Sequence, residues 1–427
     1  MTDPDGTGTL DREELLPLII SQLHQFGLHE HARRLGLDTR IPLSHSTASS
    51  RLAELAFLGK QAELQGIDEN GDGDGDEFGG DAVFGGDWAD GEGLSFDDPD
   101  ANSQRPAPNY GVRFVSMHKA PVLSGSFSAD GTHLATSSRD TTIRVFSAAK
   151  MASSNRADDG GAGAGGEAGV VKVYSDHQGP VNEVAWHPGG TILASAGEDR
   201  AVRFFEVAKT AKKAMKWVAD SHPVKSISFH PSGDYVVTGT EQGQARVYDF
   251  RSLQCFTPPF PNEAHRKRIN SVRFSPTGTV FASGSDDGTV KIYDTITGRV
   301  INTLEAAHKG RPVWSVRFSK NGRYLLSTGG DSTAKCWDMK TGVAVQSYEG
   351  AGMASGPISA SLSHSEHHVL CGDDRNNFLL VWDARTGNVL RKLSAHSGTV
   401  RGVASSPVAA AFASYSDDSR VRYWNVE

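Results

Sequence analysis

From Tyr110 onward the chain repeats itself. Aligned on the residue just ahead of an apolar-rich run that ends in an aromatic, Asp140, Asp199, Gln242, Asp287, Asp331, Asp374 and Asp418 fall in equivalent places. They are separated by 59, 43, 45, 44, 43 and 44 residues. The long first interval holds a Gly/Ala-rich insert, residues 153–169, which reads as a loop. A unit of about 44 residues built from short strands is the signature of a β-propeller with one four-stranded blade per repeat. Seven units predict seven blades, an all-β ring that also explains how a 427-residue chain avoids needing one oversized core.

Each unit has the parts of a blade. In the fourth, residues 269–274 (INSVRF), 281–285 (FASGS) and 290–294 (VKIYD) alternate apolar and polar side chains as strands do. Ser275-Pro276-Thr277-Gly278 and Asp286-Asp287-Gly288 between them are turn chemistry. A His and an Asp on neighbouring loops, a Ser on the second strand and an aromatic on the third can join in a buried hydrogen-bond chain. The fullest sets are His308, Ser327, Asp331, Trp337 and His396, Ser414, Asp418, Trp424. A His–Ser–Asp set also suits nucleophilic catalysis. One enzyme does not need several copies, however, so recurrence at the blade period predicts a structural role. Lys or Arg four residues past the aligned position, as at Arg246 and Lys291, reads as strand packing. The seventh unit ends after its third strand, so closure requires a fourth from elsewhere. Residues 110–116 (YGVRFVS), ahead of His118, are the predicted donor.

Ahead of the repeats the text changes character twice. Across residues 9–65, Leu15, Leu18, Ile19, Leu23 and Phe26 recur at helical spacing. Asp11 and Glu14 mark a helix start, Gly27 and Gly36 stops, and Pro17 either opens the regular helix or bends it. Three short helices bury little surface alone, so this α-helical module is expected to self-associate through those five side chains across a two-fold axis. Residues 66–109 form an acidic linker. Between 68 and 100 stand 13 Asp and Glu and no Lys or Arg, a composition that cannot offset its ordering entropy and predicts disorder.

The net charge of -8 is split unevenly: residues 1–109 carry 22 acidic and 7 basic side chains, and the rest 29 and 36. A basic body behind an acidic leader suits an anionic partner. Lys119, Arg139, Arg200, Arg266, Lys267, Arg268, Lys309 and Arg311, with Arg375 and Arg401, flank the His and Asp positions. In a propeller those loops share one face, which predicts a surface for RNA or an acidic partner. No phosphate loop, GxSxG elbow or dinucleotide fingerprint is present, so no cofactor and no enzyme are expected. Cys255, Cys336 and Cys371 fit neither a disulfide framework nor zinc spacing. The acids from Asp3 to Glu14 imitate a calcium loop without a preceding helix, and the Asp-Gly run at 70–76 lacks flanking helices. His364-Ser365-Glu366-His367-His368 falls in a polar turn, and no metal is expected at any of the three. The apolar run at 15–20 is short of a membrane span, and Asp3 and Asp5 do not suit a secretory signal; a soluble intracellular chain is expected.

Trp337-Asp338 and Trp382-Asp383, softened as Tyr248-Asp249, Tyr293-Asp294 and Trp424-Asn425, make the repeats similar to those of the WD40 family. That resemblance is specific for the fold and nearly silent on function. Stretches the repeat does not demand say more: residues 10–23 (LDREELLPLIISQL), 226–240 (SISFHPSGDYVVTGT), 246–256 (RVYDFRSLQCF), 318–342 (FSKNGRYLLSTGGDSTAKCWDMKTG) and 348–352 (YEGAG). They resemble the WD40 subunit of cleavage stimulation factor, which acts in messenger-RNA 3′-end formation. The likeness covers the chain apart from the acidic linker and the Gly/Ala insert. It implies a non-enzymatic nuclear subunit that is a homodimer through its leader. Such a subunit binds the HAT-repeat scaffold subunit beside the RNA-binding subunit and helps the complex hold GU-rich pre-mRNA. Two other resemblances compete. Trp382-Asp383-Ala384-Arg385 fits the short signature of substrate receptors of cullin–RING ubiquitin ligases, and the leader is also similar to the LisH helix pair of WD40 motor and corepressor proteins.

Overall fold

The computed structural model describes residues 94–96, 106–154, 169–258, 261–394 and 396–427. Seven four-stranded antiparallel sheets stand around an axis, six of them meanders of consecutive strands. The first strand of each blade lines the axis and touches the first strand of both neighbouring blades, which closes the ring. In the fourth blade that strand is Ile269–Phe274, with Ile269, Val272 and Phe274 buried. Its register slips by one residue after Ile269, and the same slip occurs in every other blade but the sixth. A bulge of this kind bends and twists the strand.

The apolar core is divided among the seams between blades. One cluster joins Val237 and Ala245 of the third blade to Ile269, Val272 and Phe274 of the fourth. Six further clusters occupy the other six seams. Each blade is therefore stable only through its neighbours. This is why the last blade has to be completed. Tyr110–Met117 pairs antiparallel with Arg420–Val426, from Tyr110 opposite Val426 to Met117 opposite Arg420, as the sequence predicts. Tyr110 enters the seam of blades six and seven, and Phe114 that of blades seven and one. Just ahead of the Gly/Ala insert stands a five-residue helix, α1 (Ala148–Ala152), which places Met151 in the same seam as Phe114.

The meander sends its loops to two faces. The loop entering each first strand and the turn between the second and third strands lie together, as the backbone bonds Arg139 N–H to Pro121 and Asp286 N–H to Arg268 record. The turns after the first and third strands lie on the opposite face. The helical module expected at 9–65, with Leu15, Leu18, Ile19, Leu23 and Phe26, falls outside the described residues, as do the calcium-like and Asp-Gly runs. The linker expectation needs one correction. Composition reads all of 68–100 as disordered, yet Leu94, Ser95 and Phe96 have a fixed place on the ring, because Leu94 is buried among apolar side chains of blades five and six.

Candidate functional site

Both histidine sets assemble as the sequence suggests. His308 Nδ1 meets Asp331 at 2.9 Å, its Nε2 meets Ser327 Oγ at 2.8 Å, and Trp337 Nε1 donates to that same oxygen at 2.8 Å. For His396 the distances are 2.9 Å to Asp418 and 2.7 Å to Ser414, with Trp424 donating to Ser414 at 2.9 Å. A carboxylate only accepts, so Nδ1 carries a proton, and the hydroxyl receives the indole N–H while it bonds Nε2. Three further blades carry the histidine, hydroxyl and aspartate: His118, Thr136, Asp140; His177, Ser195, Asp199; His265, Ser283, Asp287. Thr136 and all four serines are fully buried, so these sets staple loops and do not present a nucleophile to a substrate. The aspartates also take loop amides, such as Lys119 N–H at 2.9 Å on Asp140 and Arg266 N–H at 3.0 Å on Asp287.

Two blades depart from the pattern. In the third, Asp220 occupies the place of histidine and binds Tyr248 Oη at 2.8 Å and Arg246 Nη1 at 2.7 Å. Gln242, aligned with the aspartates by spacing, has no part in it. In the sixth, Met353 and Cys371 replace His and Ser, and the Trp382 indole turns to the Glu349 carbonyl at 2.9 Å. The basic residues four past the aligned position are structural, as expected. Lys291 Nζ reaches the Glu263 carbonyl at 2.7 Å and Lys335 Nζ the Ala307 carbonyl at 2.7 Å. The Asp of each Trp-Asp or Tyr-Asp pair caps a turn: Asp383 accepts the Arg385 and Thr386 amides and Asp249 those of Arg251 and Ser252. Among the described residues no group of His, Cys, Asp and Glu is arranged to hold a metal.

The same bonds shape the charge of this face. Its aspartates turn inward, while Lys119, Arg139, Arg200, Arg266, Lys267, Lys309, Arg311 and Arg375 remain exposed. Arg268 and Arg401 are half-buried and held by Asp286 at 3.0 Å and Asp417 at 2.6 Å, so they are committed to the ring. The exposed tips are therefore predominantly cationic although the loops contain many acids.

Sequence reasoning missed the axial channel. Glu183 receives both Nη groups of Arg273, the Ser226 hydroxyl and the Ile227 N–H at 3.0 Å. Arg317, one blade on from Arg273, makes no ion pair among the described residues; burial and the repulsion of Arg273 lower its pKa below the usual arginine value. Both arginines line a cavity of about 320 Å³ that opens among the turns after the first strands.

Protonation gives one prediction. Burial holds His118 and His265 below the usual 6.5 against the pull of their aspartates. Burial alone would raise Asp199 and Asp331, but hydrogen bonds from His177 and His308 and from their turns bring both down to about 2. All four groups are depressed, so each contributes stability above its unfolded value and loses it as pH falls. Thermal unfolding should show little slope from these groups above pH 6.5, a first decline below it, and a steeper one from about 3.9 toward 2. Asp331→Asn should cost about 1.5–3 kcal/mol at pH 7 and flatten the lower limb. An unchanged acid limb would mean that other carboxylates set it.

A family model described as "WD domain, G-beta repeat" matches residues 111–147, 169–206, 215–249, 256–294, 298–338 and 387–425. It passes over 339–386, where the sixth blade has exchanged its histidine and serine. More than half the chain is covered, and with seven four-stranded blades, five of them stapled by histidine sets, this defines the class: a WD40 β-propeller. Cleavage stimulation factor subunit 50 of Arabidopsis thaliana is 32% identical over 325 residues, which is 75% of this chain and 74% of that protein. Within the WD40 class, the chain belongs to the family of that cleavage stimulation factor subunit. Other relatives share shorter stretches. Protein HIR1 of Yarrowia lipolytica is 28% identical over 185 residues, 42% of this chain and 17% of that protein. Nuclear distribution protein PAC1 of Trichophyton verrucosum is 39% identical over 70 residues, 16% of this chain and 15% of that protein.

Proposed function

We propose that the chain is a non-enzymatic scaffold subunit of a nuclear cleavage stimulation factor, supporting pre-mRNA 3′-end cleavage and polyadenylation. The observation that carries this reading is the relatedness to subunit 50 across three quarters of both chains, where HIR1 shares 42% of this chain and PAC1 16%. Under this reading the leader forms a homodimer through Leu15, Leu18, Ile19, Leu23 and Phe26. The ring binds the HAT-repeat scaffold subunit, and the exposed cations of the His/Asp face assist the RNA-binding subunit in holding GU-rich RNA. The inward-turned carboxylates support that last point, because they leave Glu241, Glu305 and Glu349 as the exposed acids against eight exposed cations on these loops, a net positive surface toward a phosphate backbone. The ligase-receptor signature at Trp382 is explained by the blade itself: the indole is fully buried and Asp383 caps the following turn.

Isolation of a tagged full-length chain from nuclear extract tests the reading. Untagged copies of the same chain, the HAT-repeat subunit and the RNA-binding subunit are expected in the eluate. A ligase adaptor or motor components in their place would refute it. Within the assembled complex, reversing the exposed Arg266 and Lys267 to Glu, with the ion-paired Arg268 left in place, should weaken RNA retention by at least about tenfold at low salt and flatten its salt dependence. Unchanged retention would assign that patch to a protein partner.

A further inference from the structure

The turn after the first strand has one stereotyped position. In five blades it is filled by Gly131, Gly190, Gly233, Gly278 and Gly322, at φ from 68° to 83°, each N–H bonded to the carbonyl three residues before. The sixth blade makes the same turn, with Glu366 N–H on the Ser363 carbonyl at 2.9 Å, but places a glutamate there at φ 57°. A side chain in the left-handed region costs roughly 1–2 kcal/mol, and such an outlier points toward a function that holds it in place.

That function is visible in what Glu366 grips. Only 3% exposed, it accepts the Leu94 N–H on Oε2 at 3.0 Å and the Lys320 N–H on Oε1 at 2.6 Å. Asn321 Nδ2 donates to the Leu94 carbonyl at 3.1 Å, and Phe96 N–H donates to Tyr324 Oη at 3.3 Å. The Leu94 side chain is buried in the seam of blades five and six with Tyr324, Tyr348 and Met353. Phe96 packs against the same seam, its ring edge-on to Tyr324 at 5.1 Å. Backbone groups of both residues are thus read by side chains of the ring, and two apolar side chains spaced two apart enter one notch, as successive same-side residues of an extended peptide do.

We propose that this notch is a recognition site for an extended Leu-x-Phe segment, and that residues 94–96 of the chain itself occupy it, latching the acidic leader to the ring. Covalent attachment supplies an effective concentration of order millimolar, so a contact of three residues suffices to keep the notch filled. Glu366 lies on the face opposite the exposed cations, so occupation of the notch by residues 94–96 leaves those side chains uncovered.

Hydrogen exchange on the full-length chain tests this. In the native sequence, the amides of Leu94 and Phe96 should exchange at least about tenfold more slowly than in an unstructured peptide. Glu366→Gly supplies the residue that five other blades use, so the ring should stay protected while 94–96 is released; Leu94→Asp should release it likewise. A synthetic peptide of residues 91–98 should then bind the Leu94→Asp chain at millimolar concentration or below, and bind the native chain at least about tenfold more weakly. Unprotected Leu94 and Phe96 amides in the native chain, or protection that survives both substitutions, would overturn the latch. Failure of the peptide to bind the vacated notch would overturn the recognition site.

Discussion

A chain begun at His118 will fail to close, whereas one begun at residue 91 will fold. The difference is the strand Tyr110–Met117, the only part of the seventh blade that comes from the other end of the repeats. Without it the third strand of that blade, Arg420–Val426, exposes a row of unpaired amides and carbonyls, which is a template for aggregation. Two seams open as well. Tyr110 stacks edge-on to Phe412 at 4.9 Å in one, and Phe114 meets Phe146 at 6.0 Å in the other. Burying each aromatic is worth about 1.5–3 kcal/mol. Together with the lost ladder, that equals a large part of the roughly 5–15 kcal/mol by which a domain is stable. Because each blade stands only through its neighbours, the deficit is not confined to one end. Soluble yield and a cooperative melting transition distinguish the two chains; a soluble, normally melting chain from His118 would show that the ring does not depend on this strand.

What the sequence revealed and what it hid follow from how each feature is encoded. The seven units, the closing strand and the histidine sets were legible because fixed residue types return at a fixed period. Even the exchange at Asp220 kept the spacing: it precedes Thr238 by the 18 residues that separate His177 from Ser195, a signal hidden by aligning on Gln242. The pairing of Glu183 with Arg273 had no such signal, since 90 residues and two blades separate partners that meet only when the ring closes. Leu94 and Phe96 were lost for another reason. Composition averages over a window, and three specific residues inside 13 acids do not move the average. The glutamate standing where five units carry glycine was the one mark of their site in the text.

The channel carries the second large effect. Glu183 stands on the inner strand of blade two, at a place where Ser226, Ser271 and Ser315 serve the next three blades. Its carboxylate answers Arg273 and is the one acid ion-paired with that guanidinium among the described residues, with Arg317 close enough for its charge to be felt. Glu183→Ala therefore leaves two like charges side by side with nothing to offset them. Breaking one partner of a buried pair costs about 3–5 kcal/mol. Side-chain exposures of 12% for Glu183 and 18% for Arg273 place this pair at the wetted edge of that range, so a loss near 3 kcal/mol is expected in urea unfolding. Glu183→Gln keeps the shape and an acceptor and should lose less. Adding Arg273→Ser to Glu183→Ala removes the uncompensated charge and should recover part of the loss, a coupling that a merely steric defect would not show. The alanine variant should also gain more from added sulfate than the native chain, because an anion in the channel can take the carboxylate's place. A loss below about 1 kcal/mol, with no coupling to Arg273, would mean that water in the channel already solvates both guanidinium groups and that Glu183 contributes little to the ring.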